Sequence, residues 1–141
     1  MSKTFLYRFF GLGKLPASVL APLEAEGIVL FDEGIRGTVT YLNFRAPGRY
    51  SNWKRQWFSS AVILTKKRLL ALRLRSEIID VPLTDERFRQ MRFALEDEKT
   101  LLVHFDASLF QADSSGTIEY RFQTPHAPAF TDQLREFSVL N

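Results

Sequence analysis

The side chains suited to acid–base, nucleophilic or metal chemistry are few in this chain of 141 residues. His104 and His126 are its two histidines, the side chains that titrate near neutrality without help, and cysteine is absent. His104 alternates with Val103 and Phe105 in a strand-like run, and His126 sits between Pro125 and Pro128. Neither has a second histidine or a thiolate at metal-ligand spacing. Gly11-Leu12-Gly13-Lys14 fails as a phosphate loop, because Arg8 stands where the first glycine is needed and Leu15 where Ser or Thr must reach magnesium. Asp113-Ser114-Ser115-Gly116 lacks the alternating oxygen ligands of a calcium loop and reads as a turn, as does the acidic run Glu96-Asp97-Glu98. No serine sits in a G-x-S-x-G elbow. The sequence therefore predicts no catalytic residue, no metal and no cofactor.

Charge is the stronger signal. The net charge is +3, yet residues 34–76 hold ten basic residues and no acid. An asymmetry of this kind points to an anionic partner. The spacing divides the cations into two poles, roughly 20 Å apart at ~3.3 Å per strand residue. The larger comprises Arg45, Arg49, Lys54 and Arg55 on a polar loop over residues 45–57, joined by Arg73 and Arg75. The smaller comprises Arg36, Lys66, Lys67 and Arg68. Tyr50, Trp53 and Trp57 interleave with the larger pole, a mixture that suits an anionic membrane interface or single-stranded nucleic acid. The competing reading has Trp57 packing inward, the arginines paired with acids from residues 77–119, and the loop simply solvated.

These residues need a scaffold, and periodicity supplies it. Composition, with 45% hydrophobic and 25% charged residues, is that of a folded domain and excludes disorder. No apolar run is long enough to span a bilayer, and the opening residues lack a secretory pattern, so the expected location is the cytoplasm, with a peripheral place at a membrane open to it. Residues 1–26 form an N-terminal helical extension. Phe5, Leu6, Phe9 and Phe10 fall at helical spacing, flanked by Lys3, Arg8 and Lys14, and a second short helix through Val19, Leu20 and Leu23 lies between Pro16 and Pro22. The aromatic turn closes a core, meets another subunit or rests on a membrane surface.

From Gly27 to the end the period is two, then helical. Residues 28–33 and 37–45 read as a hairpin about Glu33-Gly34-Ile35-Arg36, and residues 58–65 and 68–74 as a second hairpin turning at Lys66-Lys67. In the strand after that turn Leu70, Leu72 and Leu74 share one face and Arg73 and Arg75 the other. Strands over 77–81, 88–95, 100–105 and 117–123 follow, the last with Ile118, Tyr120 and Phe122 inward. Phe130, Leu134 and Phe137 then mark one stripe of a closing amphipathic helix over about residues 128–138. The expectation is a mainly β domain over 27–141, an antiparallel barrel of about seven or eight strands closed by a C-terminal helix.

Thr65-Lys66-Lys67-Arg68-Leu69-Leu70-Ala71-Leu72 resembles the L-T-x-x-R-L hairpin of pleckstrin-homology-like domains of the bacterial and GRAM-type branches, and Ile78-Ile79-Asp80-Val81-Pro82-Leu83 resembles the strand that follows it. Gly37-Thr38-Val39-Thr40 is similar to an earlier strand, and the likeness covers residues 27–138. The loop Asn43 to Arg49 is similar to that of small uncharacterised bacterial proteins of this shape. The resemblance implies a bent antiparallel barrel and a non-enzymatic binding module, and it favours a phospholipid surface over nucleic acid as partner of the basic loop. Two other functions fit the same residues: a protein-interaction or self-assembly module, including a homo-oligomer, and a barrel holding a small apolar ligand among its thirteen phenylalanines.

Overall fold

The computed structural model describes residues 17–74 and 76–140, with the side chains of Ala17, Val19, Val139 and Leu140 outside that description. The stretch containing Lys3, Phe5, Leu6, Arg8, Phe9, Phe10 and Lys14, and the single residue Arg75, lie outside the described residues. In chain order the elements are α1 (Ala17–Glu26), β1 (Ile28–Ala46), β2 (Arg49–Ser51), β3 (Lys54–Thr65), β4 (Arg68–Arg73), β5 (Ser76–Pro82), α2 (Glu86–Gln90), β6 (Arg92–Asp97), β7 (Thr100–Asp106), a 3-10 turn (Ala107–Leu109), β8 (Ser115–Gln123) and α3 (Ala127–Leu140). The fold is mainly β, and every strand pairing in it is antiparallel.

The expected first hairpin is one strand. β1 runs through Gly34 without reversing, because Glu33 pairs with Ala61 and Ile35 with Ser60, leaving Gly34 as one extra residue at φ 65°. A single residue in the left-handed region makes a bulge, whereas a two-residue turn needs a second one to return the chain. β1 then pairs with β3 along its length and with β8 along its second half, so it joins the two halves of the sheet. At Gly37 the two strands meet closely. A Cβ built there would lie 2.5 Å from the ring of Phe58, which makes glycine a packing requirement.

The sheet is ordered β5-β4-β3-β1-β8-β7-β6, with β2 added to β1, and it does not close on itself by hydrogen bonds. The expected antiparallel strands and closing helix are present, and the hydrogen bonding leaves β5 and β6 as edges. The connection between edge strands β5 and β6 is where the stretch 88–95, expected as a strand, divides into a helix and then β6. Asp85 caps α2 by accepting from the Arg87 backbone N–H at 2.8 Å, Phe88 is fully buried, and the pairing with β7 begins at Arg92. Helices bridge the open edges: α2 packs on β5 and on α3, and α3 packs on β6 and β7. α3 buries Phe130 and Leu134 completely, with Phe137 at the margin, and Arg135 Nε donates to the Phe93 carbonyl at 3.0 Å. The expected stripe is therefore the docked face.

One apolar cluster takes Val62, Val81, Val103, Phe122, Phe93 and Phe130 from both sheet edges, the centre and α3. A second, smaller cluster lies across β3 and β4, where Ala61, Ile63, Leu70 and Leu72 receive Leu23 of α1. β4 is consequently buried from Leu69 to Leu72 on both faces, and its expected polar face exists only at its ends. Pro22 lies within α1, not beyond its end. It is exposed. Among the described residues no helix is long and apolar enough to cross a membrane.

Candidate functional site

The expected loop 45–57 is largely strand. Phe44, Arg45 and Ala46 pair with Ser51, Tyr50 and Arg49, so β1 and β2 form a short hairpin turning at Pro47-Gly48, with Gly48 at φ 72°. Proline followed by a positive-φ glycine is what a type II turn takes, and that dipeptide was a legible turn signal inside the basic stretch. Asn52 Oδ1 then accepts from the Asn43 backbone N–H at 3.0 Å and holds the return into β3. Trp53, in the tight connection that follows, has φ 60°.

On this hairpin the guanidinium of Arg45 lies 5.1 Å from the ring centroid of Tyr50, and that of Arg49 lies 5.2 and 5.1 Å from Tyr41 and Phe44. Tyr50 is 56% exposed and Trp53 72% exposed. Arg45, Ala46, Gly48, Arg49 and Tyr50 line a shallow, open groove. Among the described residues none of Arg45, Arg49 and Lys54 is in an ion pair.

The remaining cations of the larger pole divide between the two faces of the sheet, as strand alternation requires. Arg73 joins Gln56 and Phe58 on the core side: its NH1 donates to Gln56 Oε1 at 3.3 Å and its guanidinium lies 5.4 Å from the Phe58 ring. Next to them Tyr120 is held protonated, its pKa pushed up to about 12 by burial and by neighbouring Tyr41 against the opposing charge of Arg73. Arg55 points to the other face, where its Nε donates to Thr40 Oγ1 at 3.1 Å.

The smaller pole also separates. Lys66 and Lys67 form the β3–β4 turn, but Arg68 is tied to Glu26 of α1 at 2.9 Å and to Asp80 of β5 at 3.4 Å. Glu26 also accepts from Thr65 Oγ1 at 2.9 Å. Burial raises the Glu26 pKa, but the hydrogen bonds from Arg68 and Thr65 and the nearby charges of Arg68 and Lys67 outweigh it, holding the carboxyl below its usual range. Arg68 is therefore a structural cation. Arg36 belongs to neither pole. It pairs with Ser59 and Gln123 in mid-sheet, and its guanidinium carbon lies 3.7 Å from the ring centroid of Trp57. Trp57 is 51% exposed, so it packs outward, under Arg36.

Arg36, Arg55 and Trp57 thus share the outer face with Thr38 of β1 and Arg121 of β8, around a cavity of about 250 Å³ that reaches Glu96 and Asp97 of β6. The acidic run at 96–98 is more than a solvated turn, since Arg121 Nε donates to Glu96 at 2.9 Å and its NH1 to Glu119 at 3.1 Å. The sequence places Ile118, Tyr120 and Phe122 inward but does not reveal this cavity, because it depends on β8 lying beside β1 rather than beside a chain neighbour. Among the described residues no three of His, Asp and Glu gather as metal ligands would. No protein-family model matches the chain, and the search of curated proteins found no match.

Proposed function

We propose that this protein is a non-enzymatic module of pleckstrin-homology-like shape that uses the β1–β2 hairpin to contact an anionic phospholipid surface. The observation that carries the reading is Trp53. A large apolar side chain that is 72% exposed and set at φ 60° gains nothing for the fold, since it buries little area and strains its backbone. Beside it stand exposed Tyr50 and the exposed cations Arg45, Arg49 and Lys54, none of them in an ion pair among the described residues. Aromatic rings with an apolar body and a polar edge partition to the headgroup level of a bilayer, and cations there contribute about 1 kcal/mol each. The hairpin and the β2–β3 connection next to it offer both on exposed residues, which suits a flat anionic interface better than a deep ligand cleft.

The sheet supports the same reading, because β1, which leads into the hairpin, is held on both sides, by β3 as far as Tyr41 and by β8 as far as Arg45. The test is binding to vesicles of phosphatidylcholine alone and with phosphatidylserine across a salt series. Binding to the anionic vesicles that falls steeply as salt rises is expected. Equal binding to both vesicle types, or none to either, would refute it.

A further inference from the structure

We infer that the cavity on the outer face of the sheet, between β3 and β6, is a binding site for a small phosphomonoester, distinct from the hairpin. Its floor is Thr38, which is only 5% exposed and whose Oγ1 is buried with no hydrogen-bond partner among the described residues. Such a hydroxyl carries the cost of desolvation without compensation, and in a native fold it calls for a reason. Three guanidiniums line the cavity with it, those of Arg36, Arg55 and Arg121. Guanidiniums only donate, so what this floor lacks is an acceptor. Across the cavity Glu96 accepts from Arg121 and Asp97 accepts through Oδ1 from the Lys99 backbone N–H at 2.9 Å; neither meets Thr38, and each keeps acceptor capacity for a further donor.

The charges specify the ligand further. Arg121 is neutralised by Glu96 and Glu119, whereas Arg36 and Arg55 meet no carboxylate among the described residues. Two guanidiniums without a carboxylate partner match the nearly double negative charge of a phosphomonoester at neutral pH better than the single charge of a carboxylate. In the strand order, Arg55 and Arg36 stand on β3 and β1, and Glu96 and Asp97 stand three strands from β1 on β6. At ~4.8 Å per strand that is roughly 14 Å between backbones, which long side chains from both sides narrow to a small molecule. The ligand therefore places its phosphoryl oxygens between Arg36 and Arg55, accepting from Thr38, and turns a hydroxyl or ammonium group toward Glu96 and Asp97. Trp57, with Arg36 resting on its ring, reports the event, because an anion that draws Arg36 away changes the environment of the indole.

The test uses the full chain carrying Trp53→Phe, which leaves Trp57 as the sole tryptophan. Its fluorescence is followed on addition of inorganic phosphate, glycerol 3-phosphate, or sodium chloride at matched ionic strength, with calorimetry on the same samples. A saturable change with glycerol 3-phosphate, weaker with phosphate and absent with chloride, is expected. Thr38→Val and Arg36→Gln should each weaken it at least tenfold, and Thr38→Val should melt no lower than its parent because it removes an unsatisfied group. A response that chloride reproduces, or that both variants retain, overturns the site. Equal affinity for phosphate and glycerol 3-phosphate overturns the role given to Glu96 and Asp97.

Discussion

Trp53 and Gly37 are opposite cases at the scale of single residues. Gly37 is required by the fold, since any Cβ there meets the Phe58 ring, itself packed edge-on against Tyr120 at 6.4 Å. Gly37→Ala is expected to cost about 1–3 kcal/mol in denaturant unfolding, the range for forcing extra volume into a packed site. Trp53 is tolerated by the fold. Asparagine adopts φ near 60° more readily than a bulky side chain, so Trp53→Asn should gain about 1 kcal/mol in stability while losing vesicle affinity. A loss of stability would show that the indole packs on something. Neither property was legible in the sequence, because a glycine within a strand pattern and a tryptophan in a polar stretch look alike whether they serve packing or binding. The pairing of Gly37 with Phe58 depends on the register of β1 with β3, and that register is set by the bulge at Gly34.

At the scale of elements, α1 and α3 dock by different means, and each gives a separate expectation. α3 is held by apolar burial. Truncating Leu134, which is fully buried, to alanine should cost about 2–5 kcal/mol, and a change below half of one would mean that the helix is not docked. α1 is held by Leu23 and by the cluster Glu26–Arg68–Thr65. The folded-state pKa of Glu26 is depressed, so its contribution is fully present above the ordinary value of 4.5 and fades as pH falls below it. Glu26→Gln should therefore destabilise by about 1 kcal/mol at neutral pH and flatten the stability profile below pH 4.5, read from denaturant midpoints on a pH series. Asp85, drawn down to about 2 chiefly by its hydrogen bonds from Arg87, adds a second loss between its ordinary 3.8 and that value. A profile of Glu26→Gln parallel to wild type would remove Glu26 from the account of acid sensitivity.

The elements themselves were largely readable. Period-two stretches located the strands between Phe58 and Gln123 except over 88–95, where a helix precedes β6, and the stripe Phe130, Leu134, Phe137 located α3, since one-sided burial writes itself into spacing. What escaped was two-sided burial and local backbone geometry. β4 read as one-sided because nothing in its own residues tells that Leu23 covers its second face. Gly34 read as a turn because a left-handed residue serves a bulge or a hairpin alike, and only the partner strand decides.

For the whole molecule, the charge asymmetry in residues 34–76 is real in sequence but is not one surface. Arg68 is used in holding α1, Arg73 faces Phe58 and Gln56, Arg36 and Arg55 line the outer cavity, and Arg45, Arg49 and Lys54 stand near exposed Tyr50 and Trp53 on the hairpin and the connection after it. Strand alternation makes this division, sending neighbours such as Lys54 and Arg55 to opposite faces, and a count of charges along the chain is blind to it. The central claim rests on the hairpin cations acting on a membrane and not within the fold. The most direct measurement is co-sedimentation of wild type and Arg49→Ala/Lys54→Ala with phosphatidylserine-containing vesicles at physiological salt, with thermal melts of both. At about 1 kcal/mol per cation the double substitution should weaken binding about 30-fold and leave the melting temperature nearly unchanged. Equal binding by the two proteins, or a collapsed melting temperature in the variant, would contradict it.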